Sequence, residues 1–204
     1  MKDLIRKLHA NTEKISAERK FDLDLLVQAM YELHKNCGEI SVNVICTHNS
    51  RRSQVAQLWF IMAAHHFDVP CLKAYSGGTE VTAFNDRMVK ALQSHKIDLS
   101  EISGGTNPVY ALHIAGAEKS AHQFFSKTYD DPVNPAKEYI ALIVCDSADE
   151  KCPIVVGASH RLFIPYVDPK QADDTDQESH VYRAKVEEIG IEILYTMEQL
   201  KKLI

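Results

Sequence analysis

Cysteine, arginine and serine recur in one short run, Cys46-Thr47-His48-Asn49-Ser50-Arg51-Arg52-Ser53, and together they are suited to gripping an oxyanion and attacking it. The C-x5-R spacing alone carries little, because a chain with five cysteines produces it readily by chance. Its setting carries more. Cys46 closes a β-branched run, SVNVIC, and Val55, Leu58, Trp59 and Met62 then recur at helical spacing, so the residues between form a loop over a helix N-terminus. In such a loop the backbone N–H groups of Thr47, His48, Asn49, Ser50, Arg51, Arg52 and Ser53 turn inward and join the positive end of the helix dipole, making a cradle for a tetrahedral anion. Arg52 adds a planar fork able to hold two anion oxygens. The same field stabilises the Cys46 thiolate, which makes it a nucleophile, and Ser53 can donate a hydrogen bond to the sulfur.

Two further sets of residues bear on chemistry. Asp168 stands before Pro169 and after the apolar segment 162–167, where a loop can carry it over the cradle. As a protonated acid it would give its proton to a leaving oxygen, and as a carboxylate it would activate water, although an Asp-Pro pair is equally a turn. Cys145 closes the apolar run EYIALIVC, and Cys152 follows across DSADEK, a polar, glycine-free stretch expected to be a loop able to rearrange. The spacing does not fit a zinc knuckle, so the two are either inert thiols or a redox pair. Cys37 and Cys71 read as structural. The histidines have no third ligand at metal-binding spacing, and no metal site is expected.

These residues need a scaffold, and the pattern supplies one. Strand-like runs at 41–46, 72–76, 138–145 and 162–166 alternate with helical stripes, including Phe84, Met88, Val89 and Leu92, and a final one from Val186 to Leu200 that is interrupted by Gly190. The expectation is an α/β fold: a doubly wound, mostly parallel four-stranded sheet with helices on both faces and ligands at the carboxyl ends of the strands. Residues 1–40 read as a helical extension with a helix from about Asp22 to Lys35, capped by Asp22 or Asp24. The domain proper would span 41–204. Between about 103 and 137 the rhythm breaks, and 109–114 and 122–125 read as the strands of an inserted β-hairpin. The acidic residues Asp173, Asp174, Asp176 and Glu178 suit the N-terminus of the last helix.

Composition narrows the rest. A chain of 204 residues has room for one sizeable core, and 23 Lys plus Arg against 28 Asp plus Glu disfavours a surface built for nucleic acid. No run approaches the roughly 20 apolar residues needed to cross a bilayer, and MKDLIRKLHANTEK lacks a secretory core, so a cytoplasmic protein is expected. Five unevenly spaced cysteines argue against a disulfide framework.

The loop CTHNSRRS resembles the phosphate-binding loop of the low-molecular-weight protein tyrosine phosphatase superfamily, YSGGTE (75–80) resembles the segment ending its second strand, and Asp168-Pro169 resembles the pair supplying its general acid. CDSADEKCP (145–153) is similar to the paired-cysteine segment of the thioredoxin-coupled arsenate reductases within that superfamily. The resemblance implies that Cys46 attacks arsenate held by the loop and Arg52, that Cys145 attacks the adduct and releases arsenite, and that Cys152 resolves the disulfide. A dithiol such as thioredoxin would then reduce Cys145–Cys152, with no cofactor. The other implied activity is phosphotyrosine or aryl phosphate hydrolysis by Cys46, Arg52 and Asp168 through phosphocysteine. Three features depart from the family: His48 replaces a glycine, Arg51 replaces a small residue or cysteine, and 1–40 and 103–137 have no counterpart. His48 either narrows the mouth or meets the oxyanion.

Overall fold

The computed structural model describes residues 2–115, 122–151 and 154–204. Along the chain run α1 (Lys2–His9), α2 (Ala17–Cys37), β1 (Ile40–Cys46), α3 (Arg52–Phe67), β2 (Leu72–Gly78), α4 (Asp86–Ser94) and β3 (Leu99–Ser103). They are followed by β4 (Val109–Leu112), β5 (His122–Phe124), β6 (Tyr139–Ile143), α5 (Asp146–Lys151), β7 (Ala158–Phe163) and α6 (Glu178–Lys201). The main sheet has the order β2-β1-β6-β7 with every neighbouring pair parallel, the α/β class expected from the sequence. β1 lies between two partners, pairing Val42 with Ala74 on one side and Ile140 on the other. That place explains its near-continuous apolar run: all its residues but Ser41 are buried.

Helix α3 packs along β1 and β2 and against α6, which also meets α1, α2 and α4. Because it is enclosed by these elements, α3 is buried continuously from Ser53 to Ala63. Its two internal glutamines are therefore hydrogen-bonded: Gln57 accepts from the Ser76 hydroxyl at 2.6 Å, and Gln54 donates to the Phe125 carbonyl at 2.8 Å.

Several expectations need correction. The N-terminal helix α2 begins at Ala17, because Ser16 accepts from the Arg19 N–H and caps it; neither Asp22 nor Asp24 does. Asp24 instead accepts from the Tyr195 hydroxyl at 2.9 Å. The strand expected over 138–145 ends at Ile143, because the Cys145 carbonyl already accepts from Asp149 N–H and starts α5. DSADEK is thus a short helix rather than a loop. The last strand, β7, is shifted toward the N-terminus relative to 162–166, while Ile164 and Tyr166 still donate to Ile143 and Val144 beyond it. The expected hairpin forms as antiparallel β4 and β5, but β3 joins it to make a second, three-stranded sheet. Asp173, Asp174 and Glu178 gather around Arg87 on α4. Cys37 is exposed at the end of α2, outside the core, whereas Cys71 is half-buried against it.

Gly190 has a packing reason that outweighs its weak helix propensity. A Cβ there would lie 2.5 Å from Cε2 of Trp59, whose indole is fully buried and fixed by a 2.9 Å hydrogen bond to the Val186 carbonyl. Gly190→Ala gains about 1 kcal/mol of helix propensity. It loses about 1–3 kcal/mol to overpacking against a ring that cannot retreat. The expected outcome is a lower urea midpoint than wild type; a higher one would show that α6 and Trp59 separate freely.

Candidate functional site

The loop between β1 and α3 has a one-sided hydrogen-bond pattern. Its carbonyls face outward and are taken: Cys46 O accepts from Thr79 N–H, Thr47 O from Glu80 N–H, Ser50 O from Asn85 N–H and Arg51 O from Val55 N–H. His48 O accepts from the hydroxyls of Thr82 at 3.0 Å and Ser126 at 2.9 Å. Asn49 O accepts from the Gln54 amide at 3.0 Å. Among the described residues, no backbone N–H from Thr47 to Arg51 donates to a protein acceptor. A row of peptide donors ahead of a helix N-terminus is an anion-binding nest.

Asn49 shapes the turn. It is fully buried with φ 45, a left-handed conformation that asparagine tolerates better than most residues. Its amide nitrogen donates to Ser53 Oγ at 2.8 Å, while its Oδ1 accepts from Lys127 N–H at 3.0 Å. Gly78 lets the end of β2 approach from outside, since a Cβ there would stand 2.7 Å from Thr47 O and 2.8 Å from Asn49 N.

Cys46 is buried, with Sγ 3.1 Å from Ser53 Oγ. Because Ser53 Oγ already accepts from Asn49, its own proton is free to point at the sulfur. Arg52, at the first position of α3, donates from Nη1 to Tyr166 O and from Nη2 to Asp168 Oδ2, each at 2.8 Å. Among the described residues its buried Nε has no protein acceptor, and it remains available to an anion oxygen. Asp168 also pairs with Arg51, Nε to Oδ1 at 2.9 Å, and its Oδ1 accepts from Lys170 N–H, capping a short 3-10 turn at Pro169–Ala172. Burial alone would push the Asp168 carboxyl up, but Arg52, the Lys170 N–H and Arg51 outweigh it and hold the carboxyl below its ordinary value. Cys46, His48, Ser50, Arg51, Arg52 and Asp168 line one narrow cleft.

The structure therefore brings Cys46, the loop residues 47–53 and Asp168 together. Cys145 is close as well: it is buried, with Sγ 3.5 Å from Oγ1 of Thr47, the residue that follows Cys46. Cys152 lies outside the described residues. His48 sits half-exposed at the mouth, with Nε2 3.5 Å from a Glu80 carboxylate oxygen. Among the described residues no three of His, Cys, Asp and Glu converge as a metal site, and no helix is long and apolar enough to cross a membrane.

Residues that brace the site were not apparent from motif spacing. Thr79, Thr82 and Asn85 follow β2, and Ser126 and Lys127 follow β5; all hold the outside of the loop. From the N-terminal extension, Arg19 forms a fork with Glu192 at 2.9 Å, donates to Pro165 O at 3.1 Å and stacks 4.9 Å over the Tyr166 ring. Tyr166 O is the acceptor that holds Arg52. Lysines on a strand or loop give no signal of such bracing, but Lys127 is a buried lysine, its ammonium pulled down to about 8 by burial, with only Asp131 opposing.

No family model matches the chain. It is 27% identical over 151 residues to an arsenate reductase of Bacillus licheniformis, covering 74% of this chain and 89% of that protein. It shares a fold with YwlE of Bacillus subtilis, at a TM-score of 0.54 and 14% identity, covering 80% of this chain and 99% of that one. A low-molecular-weight protein tyrosine phosphatase from T. tengcongensis superposes at a TM-score of 0.50 with 16% identity, covering 79% and 99% respectively.

Two outcomes follow from the geometry. Asn49→Ala removes the bonds to Ser53 and Lys127 and leaves an alanine at positive φ, so inorganic phosphate affinity measured by calorimetry should fall about tenfold or more. Unchanged affinity would separate the anion from this loop. Asp168, depressed in the folded state, contributes stability that is present above the ordinary carboxylate value and lost as pH falls through the folded value. Asp168→Asn should therefore have a lower urea midpoint than wild type near neutrality, with the gap closing in acid; a gap independent of pH would mean that the ion pairs contribute nothing.

Proposed function

Taking the chain as an enzyme of the low-molecular-weight protein tyrosine phosphatase superfamily, similar to its arsenate reductases, we propose that it reduces arsenate to arsenite with its own thiols. Residues 41–204 would form the catalytic domain, with 1–40 as an extension and about 103–137 as an insertion. The observation that carries the reading is the second buried thiol, Cys145, against Thr47 of the oxyanion loop. A phosphatase needs no such group, because water hydrolyses phosphocysteine.

In this reading the inward amides of Thr47, His48, Asn49, Ser50, Arg51, Arg52 and Ser53 and the Arg52 fork hold the oxyanion. The Cys46 thiolate attacks arsenic, forming a sulfur–arsenic bond while one As–O bond breaks and water departs. Cys145 as thiolate then attacks Cys46 Sγ. A disulfide forms, the S–As bond breaks, and its electron pair stays on arsenic, which leaves as arsenite. Cys152 attacks Cys145, frees Cys46 and leaves a Cys145–Cys152 disulfide for an external dithiol such as thioredoxin to reduce. Two electrons pass from thiols to arsenic, and no metal or organic cofactor is required. A cytoplasmic setting follows from that reading, because the cycle depends on a supply of reduced dithiol.

A second reading, hydrolysis of phosphotyrosine or aryl phosphates through phosphocysteine, is favoured by Asp168 lining the same cleft as Cys46 and Arg52, within reach of a leaving oxygen. The two differ in the fate of the thiols. After one arsenate turnover and alkylation, mass spectrometry should find Cys145–Cys152 joined in wild type and Cys46–Cys145 joined in Cys152→Ser. If all five thiols stay alkylatable while aryl phosphates turn over, the phosphatase reading replaces the reductase.

A further inference from the structure

Arg51 is one of two residues, with His48, at which this loop departs from the family pattern it resembles, and its side chain is engaged with Asp168. It is largely buried, with Nε 2.9 Å from Asp168 Oδ1 and Nη2 3.4 Å from Oδ2. Arg52 holds Oδ2 from the other side at 2.8 Å. These two cations are not equivalent once an anion arrives. Among the described residues both have a buried Nε without a hydrogen-bond acceptor, but the Arg51 Nε lies 2.9 Å from Asp168 Oδ1 in an ion pair, whereas Arg52 meets Asp168 through Nη2 and keeps its Nε for the incoming oxyanion. Arg51 then remains as the cation committed to Asp168. The other groups facing this carboxylate are Cys46 and His48 in the cleft, the Lys170 N–H, and Tyr182 from α6, whose hydroxyl donates to Asp173 at 2.7 Å.

The protonation state of Asp168 decides between two kinds of substrate. When the Cys46 thiolate attacks a phosphate monoester dianion, a sulfur–phosphorus bond forms and the ester P–O bond breaks. The leaving oxygen departs as a free alkoxide or phenoxide unless an enzyme acid supplies a proton. Thiolate, ester dianion and one proton from Asp168 thus give the phosphocysteine dianion and a neutral alcohol or phenol. Dihydrogen arsenate, a monoanion, brings both hydrogens of the departing water with it. Thiolate and dihydrogen arsenate give the dianionic cysteine–arsenate adduct and water, and no enzyme acid is consumed. A carboxyl kept ionised therefore handicaps esters with poor leaving groups and leaves the free oxyanion nearly untouched.

We propose that Arg51 is a specificity-determining positioning residue, which pairs with Asp168 to keep it ionised and so favours inorganic oxyanion over phosphate monoester. This rests on the functional reading above and deepens it. It assigns a consequence to a residue whose side chain is engaged with Asp168.

The test compares wild type, Arg51→Gln and Arg51→Lys on phenyl phosphate, on 2,4-dinitrophenyl phosphate and on arsenate in single turnover. Arg51→Gln should move the alkaline limb of the kcat profile for phenyl phosphate up by about one unit. Its phenyl phosphate rate near neutrality should then rise about tenfold. The dinitrophenyl ester, whose leaving group needs no proton, and arsenate should show no such rise, whatever the variant costs in anion binding. Arg51→Lys, which keeps the charge without the fork, should fall between. An unmoved limb overturns the assignment, and so does a parallel fall on all three substrates, which is what loss of loop structure alone produces. Should Arg51→Gln fail to fold, the ¹³C carboxyl titration of Asp168 in wild type and Arg51→Lys decides: a wild-type value at or above the ordinary carboxylate range overturns the proposal. If wild type leaves arsenate untouched, the functional reading falls, while the ester series still tests the Arg51–Asp168 pair on its own.

Discussion

The site depends on a division of labour within one peptide loop. Every carbonyl from Cys46 to Arg51 is engaged, while among the described residues the N–H groups of Thr47 to Arg51 have no protein acceptor. The outer bonds, the left-handed Asn49 and the glycine-permitted approach of β2 fix the direction of the loop. Donors held in place in this way need no reorganisation to meet an anion, which is the property the proposed oxyanion site uses.

The extra segments take part in this bracing. After β5 the chain delivers Ser126 to His48 O and Lys127 N–H to Asn49, so the second sheet is anchored on the outside of the loop. The N-terminal helices act from the opposite direction. Arg19 fixes Pro165 and Tyr166, and Tyr166 O in turn orients the Arg52 guanidinium. Both additions thus end on backbone atoms that set the geometry of the cleft rather than on the cleft itself.

How legible the molecule was in its sequence follows from the range of each interaction. β1, the loop and α3 are contiguous, and their chemistry is carried by residue type, so Cys46, Arg52 and Ser53 could be read directly. The parallel sheet was legible because a strand buried on both faces, such as β1 or β6, leaves an unbroken apolar run. β3 was not, since LSEIS is short and only its first residue is buried. α5 was missed because five polar residues around a single alanine, Ala148, carry no apolar period. The braces of the loop were invisible for a different reason: Thr82, Ser126 and Lys127 act on main-chain carbonyls or on a distant asparagine side chain, and a carbonyl has no sequence signature. The pairing of Asp168 with Arg51 spans 117 positions and needed the fold to appear.

The proposed function rests on the inward peptide groups of residues 47–51 receiving the oxyanion. ¹H–¹⁵N NMR of reduced Cys46→Ser protein titrated with arsenate reads those groups one by one without turnover. The amide resonances of Thr47, His48, Asn49, Ser50 and Arg51 should move downfield together, along one saturation curve shared with the Arg52 Nε–H. Saturable arsenate binding that leaves these resonances in place, or shifts confined to another part of the molecule, would contradict it.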